Sequence, residues 1–158
     1  MDRAGGTDPR PEAVARRLAD AVEDLVELWT SAGRSVVPRL SAQQLKALKA
    51  VARRPAATLT DLAESVGTTL PAASRLCDRL EAAGLLQRIP HSHSRRALSL
   101  LLTPQGRRVL AEIGARRTLD LAAVLAAMTP LQRASLEDGL RAFRAARGAT
   151  AADRRTDE

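Results

Sequence analysis

The 158-residue sequence predicts a mainly α fold carrying a small β-hairpin wing, with long helices at both ends of the chain. Three observations predict it. Two short amphipathic helices meet across a glycine at Gly67, the apolar period then turns strand-like for two short runs after Gly84, and long helical stripes lie on either side. Apolar residues make up 45% of the chain, but the aromatics are one Trp and one Phe, so the core must be built from Leu, Val and Ala.

The first helix is expected to open with Asp8 as N-cap and Pro9 in its first turn, and to run to about Gly33. Leu18, Val22, Leu25, Leu28 and Trp29 recur at three and four residues, while Asp20, Glu23, Asp24 and Glu27 take other faces, so this helix needs a partner. A connector, Arg34 to Leu40, contains Pro38. Ser41-Ala42-Gln43-Gln44 then reads as a capping box opening a second helix, with Leu45, Leu48 and Ala52 inward, Lys46, Lys49, Arg53 and Arg54 nearer solvent, and Pro55 past its end. Thr60 is the expected N-cap of a third, short helix, with Leu62, Ala63 and Val66 inward and Gly67 as its stop. Thr69 caps a fourth, with Pro71 in its first turn and Ala73, Leu76, Cys77 and Leu80 as its inner stripe.

Two short helices across a tight glycine turn form a helix-turn-helix, whose second helix is built to lie in a DNA major groove. Leu85 to Ile89 and Ala97 to Leu102 read as strands of a hairpin, the wing, with Pro90 to Arg96 as its polar, cationic tip. Thr103-Pro104 restarts a helix, expected to be the longest, with Val109, Leu110, Ile113, Leu121, Val124, Leu125 and Met128 on one face. Thr129-Pro130 opens the last, with Leu131, Leu136, Leu140 and Phe143, stopping near Gly148. The expected organisation is a disordered tail over 1–7, a dimerisation helix and connector over 8–40, a winged helix-turn-helix lobe over 41–103, dimerisation helices over 104–148 and a disordered tail over 149–158.

The formal charge of +7 favours a polyanionic partner, because each neutralised phosphate releases a condensed counterion, although an arginine-rich composition alone would produce the same excess. One cysteine excludes an intrachain disulfide framework, and neither a signal peptide nor an apolar run of membrane length is present. The expectation is a soluble, cytoplasmic protein. No Gly-rich phosphate loop, metal-ligand cluster or base beside a nucleophile is present, so an enzyme is not expected, nor a cofactor.

The middle of the chain resembles the multiple-antibiotic-resistance regulator (MarR) family. The resemblance rests on Leu62-Ala63, on Ser74-Arg75-Leu76 with Asp78-Arg79-Leu80-Glu81, on Gly84-Leu85, and on Arg95-Arg96 followed by Leu102-Thr103-Pro104-Gln105-Gly106-Arg107. It implies a homodimeric winged helix-turn-helix regulator of transcription, bracketed by interleaving helices, that binds double-stranded DNA and takes a small-molecule effector of unidentified nature. One departure stands out: the family usually has an aspartate immediately before the arginine pair of the wing, where this chain has Ser94.

On the fourth helix, Pro71, Ala72, Ser74, Arg75, Asp78 and Arg79 share the outward arc. Arg75 is the candidate for a guanine edge, and Ala72 leaves room for a thymine methyl. Thr69 and Ser74 suit phosphate oxygens. Arg79 is assigned to phosphate or to an internal ion pair. Asp78, which would repel phosphate, is expected to pair with Arg75 or Arg79. In the wing, Arg95 is the candidate for the minor groove and Arg96 for anchoring, against the alternative of two solvated arginines. His91 and His93 suit phosphate better than metal, since two histidines are too few for a zinc site. Cys77 reads as core packing in preference to an oxidant sensor. Trp29, Val36, Val37 and Pro38 fall where such regulators take their effectors, and packing explains them equally well. The rival to a dimeric repressor on an inverted-repeat operator is a winged-helix protein-interaction module without specific DNA binding.

Overall fold

A computed structural model describes residues 10–34, 36–91 and 94–156 of the chain. Among them it forms six helices and one hairpin: α1 (Pro11–Arg34), α2 (Ala42–Arg53), α3 (Leu59–Val66), α4 (Leu70–Ala82), β1 (Leu86–His91), β2 (Ser94–Leu102), α5 (Pro104–Ala126) and α6 (Pro130–Thr156). This is a winged helix-turn-helix with flanking helices. The chain divides into two compact units, one ending at Thr118 and the other beginning at Leu119.

In the first unit the core is aliphatic. Val36, Leu48, Val51, Leu62, Val66, Leu76, Leu80, Leu85, Leu86, Leu100, Val109 and Ile113 pack as one buried cluster. Helix α2 contributes Ala47, Leu48, Ala50 and Val51, and the expected inward Ala52 is exposed instead. The stripe is centred on Leu48 and continues to Val51 three residues on, which turns Ala52 outward. Its capping box is as expected, with the Ser41 amide donating to Gln44 Oε1 at 2.8 Å and the Gln44 amide donating to Ser41 Oγ at 3.2 Å.

Helix α1 begins at Pro11, with the Arg10 carbonyl accepting from the amides of Ala13 and Val14, while Asp8 and Pro9 lie outside the described residues. Helix α3 is capped by Thr58, not Thr60. The Thr58 amide donates to Asp61 Oδ2 at 2.8 Å and the Asp61 amide donates back to Thr58 Oγ1 at 3.2 Å. The reason is reciprocal capping: three residues beyond Thr58 stands an acceptor, Asp61, whereas three beyond Thr60 stands Ala63, which has none.

The wing is an antiparallel pair with Leu86 opposite Leu102, Arg88 opposite Leu100 and Pro90 opposite Leu98. It is longer than expected. His91 pairs with Ser94, so the anticipated seven-residue tip is largely strand, and Arg95 and Arg96 belong to β2. Strand pairing joins backbone groups and does not stop where apolar side chains stop. The register shifts between Pro90 and His91, so Arg95, Arg96 and Ala97 face no matching stretch of β1, which is a bulge. On its other edge the hairpin is held by the Leu100 amide, which donates to Ala57 O at 2.8 Å.

Helix α5 starts where Thr103 caps it, its Oγ1 accepting from the Gly106 amide at 3.0 Å and donating to Gly84 O at 2.6 Å. Only glycine fits at 106, because a Cβ there would sit 2.1 Å from Leu85 O. In the second unit α6, not α5, is the longest helix, 27 residues against 23, and it runs through Gly148 to Thr156. Ala149, Ala151 and Ala152 sustain it: a glycine ends a helix when it takes a left-handed φ, and Gly148, unlike Gly67 and Gly84, does not. Among the described residues, no helix is long and apolar enough to cross a membrane.

Candidate nucleic-acid interface

The helix-turn-helix is made by two local devices. Gly67 ends α3 in the left-handed region at φ 70°, with the Thr68 amide donating to Ala63 O at 2.9 Å and the Gly67 amide to Glu64 O at 3.1 Å. Two residues later Thr69 caps α4, its side chain accepting from the Ala72 amide at 3.4 Å, and Pro71 occupies the first turn. The turn is further fixed by the Lys46 ammonium, which donates to Val66 O at 2.6 Å at the end of α3.

With Ala73, Leu76, Cys77 and Leu80 buried, α4 must present its other arc to solvent. Pro71, Arg75, Asp78 and Arg79 are exposed there, with Ala72 and Ser74 half-buried beside them. The two arginines differ from the acid between them. Among the described residues, neither Arg75 nor Arg79 has a hydrogen bond or ion pair with another side chain.

Asp78 also has a partner other than those expected. Arg88, on β1, donates from Nη2 to Asp78 Oδ1 at 2.6 Å and from Nη1 to Glu81 Oε2 at 2.5 Å, and its Nη2 also reaches Ser74 O at 3.5 Å. The hydrogen bond donated to Asp78, with the charges of Glu81 and Asp78 adding and burial opposing, holds the guanidinium above its usual pKa. Arg88 is the residue that sequence reasoning missed. Its signal was present: two acids three apart on one helix face, and an arginine seven residues beyond the second.

The wing residues are placed by backbone only. His91 ends β1, Arg95 and Arg96 follow Ser94 on β2, and His93 lies outside the described residues. Thr69, Pro71, Ala72, Ser74, Arg75 and Arg79 are therefore gathered on one helix, while the wing set belongs to a separate element that Arg88 joins to it.

Cys77 is fully buried, and burial first, with Asp78 and Glu81 adding, pushes its thiol above the ordinary pKa against the opposing pull of Arg88. A protonated buried thiol is a poor nucleophile. Among the described residues no group of three His, Cys, Asp or Glu side chains is assembled as a metal-donor set.

A second polar feature lies where α1 meets α5. Arg117 is 6% exposed, donates from Nε to Trp29 O at 2.8 Å, and stands 4.7 Å from the centre of the Trp29 ring. Burial lowers its pKa, and burial together with Arg117 and Arg53 lowers that of Lys49. Val36 is buried nearby in sequence, whereas Val37 is 79% exposed.

Comparison with known proteins bears on this arrangement. Residues 40–98 match the model of the MarR family. The chain is 26% identical over 120 residues, 73% of its length and 75% of the other's, to the uncharacterized HTH-type transcriptional regulator YfiV of Bacillus subtilis (strain 168). Its fold is similar to the crystal structure of RV1404 from Mycobacterium tuberculosis, with a TM-score of 0.80 and 29% identity, covering 86% of this chain and 93% of that one. It is similar too to a MarR family protein from Bacillus stearothermophilus, with a TM-score of 0.73 and 21% identity over 85% and 93% of the two chains.

Proposed function

From the match of residues 40–98 to the MarR family model, we infer that the chain is a winged helix-turn-helix transcription regulator of that family, which binds duplex DNA as a homodimer and represses transcription from an inverted-repeat operator. The observation that carries this reading is the outward arc of α4. It offers Arg75 and Arg79 without side-chain partners among the described residues, while the nearby carboxylates of Asp78 and Glu81 are engaged by Arg88. Arg75 reads a base edge, Arg79 takes phosphate, Thr69 and Ser74 flank it, and Pro71 and Ala72 allow close approach of the helix start. His91, His93, Arg95 and Arg96 supply the wing contacts, Arg95 in the minor groove.

Dimerisation is supported by apolar side chains left in water. On α1, Leu18, Val22, Val26 and Trp29 are 43–55% exposed, and on α6 Leu131, Leu136, Leu140 and Phe143 are 38–78% exposed. A second copy covers both stripes. Two-fold symmetry then predicts half-sites about 10–10.5 base pairs apart, or a multiple of that.

The Arg117–Trp29 pair supports response to a small organic anion, since a shielded guanidinium beside a Trp face, with Lys49 close by, favours a flat carboxylate. An interaction module without DNA binding would account for Asp78 in the outward arc and for Ser94 in the wing, and the pairing of Asp78 to Arg88 weakens the first of these grounds.

Selection of bound duplexes from a random pool, followed by salt titration, tests the function. A palindromic winner whose affinity falls steeply with salt, at about 0.9 log units per log unit for each phosphate contacted, supports it. Failure to enrich any sequence, with flat salt dependence, favours the interaction module.

A further inference from the structure

The wing must be held at a fixed angle to α4 if both are to reach one duplex together, and apolar packing of Leu76 and Leu80 with Leu86 and Leu100 does this only at the root. The root of the hairpin is buried through Leu86 and Leu100, and the Leu100 amide is bonded to Ala57 O ahead of α3. Both tie it to the core. Toward the tip burial fades: Ile89 is half-buried, Pro90 is exposed and Leu98 is 50% exposed. Among the described residues, the side-chain bonds that join the hairpin directly to α4 are those of Arg88. They span Asp78 and Glu81, one helical turn apart, and reach Ser74 O, and the Arg88 backbone amide also donates to Glu81 Oε1 at 3.4 Å.

From this we propose that Arg88 is a positioning residue for DNA binding: its fork across Asp78 and Glu81 holds the wing at one angle to α4, so that hairpin and helix engage the duplex as one unit. The proposal rests on the DNA-binding reading above. An arginine suits the task because its planar guanidinium presents two nitrogens to two separate carboxylates, which a lysine ammonium cannot do with the same geometry. The bond also takes up two acids that border the DNA-facing arc and would otherwise repel phosphate. Its side chain is 22% exposed and those of Asp78 and Glu81 are 58% and 41% exposed, so the network adds little to global stability and its loss leaves the fold intact.

The experiment is a double-mutant cycle on the operator selected with the wild-type protein. Affinity is measured against salt for wild type, Arg88→Gln, Arg95→Ala and the double variant, with thermal melts of each. Wild type binding no duplex in the first titration overturns the DNA reading itself, and the proposal with it, before any variant is measured. With wild-type binding established, Arg88→Gln is expected to melt close to wild type, to bind about tenfold more weakly and to show a shallower salt slope as wing phosphates are lost. Arg95→Ala then costs much less in the Arg88→Gln background than alone. Arg88→Lys restores only part of the affinity. The same Arg95 penalty in both backgrounds, or an unchanged salt slope, overturns the positioning role and leaves DNA binding standing. Should Arg88→Gln fold poorly, Asp78→Ala with Glu81→Ala removes the partners while keeping the arginine, and must abolish the coupling to Arg95 in the same way.

Discussion

Arg75 stands on the exposed arc of α4 with no side-chain partner among the described residues, so its substitution should alter DNA recognition without disturbing the fold. Arg75→Ala is expected to relax preference at one base position by about 1–3 kcal/mol while leaving the melting temperature near wild type, read by binding to operator variants; an equal loss on every sequence would reassign it to phosphate. At Gly106 the expectation is reversed. Its missing Cβ leaves room for Leu85 O, so Gly106→Ala should cost about 1–3 kcal/mol in urea unfolding, unless the strand–helix junction shifts. Cys77 carries a pH signature. Its thiol pKa is raised by burial, so the folded state retains its proton longer than the unfolded chain does. The contribution is complete below the unfolded thiol's pKa and is lost as pH rises through the folded one. Unfolding free energy should therefore fall in the alkaline range above about pH 9, and Cys77→Ala should flatten that fall.

Helix boundaries depend on side chains that bond to nearby backbone, and these were unevenly legible. Ser41 with Gln44, Gly67, Thr69 with Pro71, and Thr103 with Pro104 could be read because each residue type and its spacing agree with a single cap geometry. For α3 the sequence pointed to Thr60 as the cap, whereas Thr58 is the cap. What decides between them is Asp61, three residues after Thr58. Thr58→Ala should cost about 1 kcal/mol in thermal or urea unfolding, and Thr60→Ala less than about 0.5 kcal/mol; comparable losses would contradict the capping box. The wing was legible as a hairpin but not in extent, because His91 and Ser94 pair through backbone groups that composition does not reveal. Arg88 was missed for a related reason. Its partners are on another element, and only the path of the chain out of α4 through Gly84 brings β1 back alongside Asp78 and Glu81.

At the scale of the molecule, periodicity identified the six helices and the hairpin of the described residues, since an apolar face of several turns is a strong signal regardless of its partner. The end of α6 was the failure at this scale: Gly148 resembled a stop, but alanine on both sides favours continuation. The partners of the stripes on α1 and α6 do not follow from either helix alone, and in the proposed dimer a second copy supplies them. Leu140→Glu with Phe143→Glu should convert dimer to monomer in light scattering and lower operator affinity at least tenfold; a dimer that survives would place the interface elsewhere. No residue of α6 between Pro130 and Ala149 is buried. In the proposed dimer a helix so exposed in its own subunit is covered by a second copy, and its susceptibility to proteases should follow the supply of copies. On the proposed dimer, cleavage of α6 by an added protease should therefore slow as protein concentration rises.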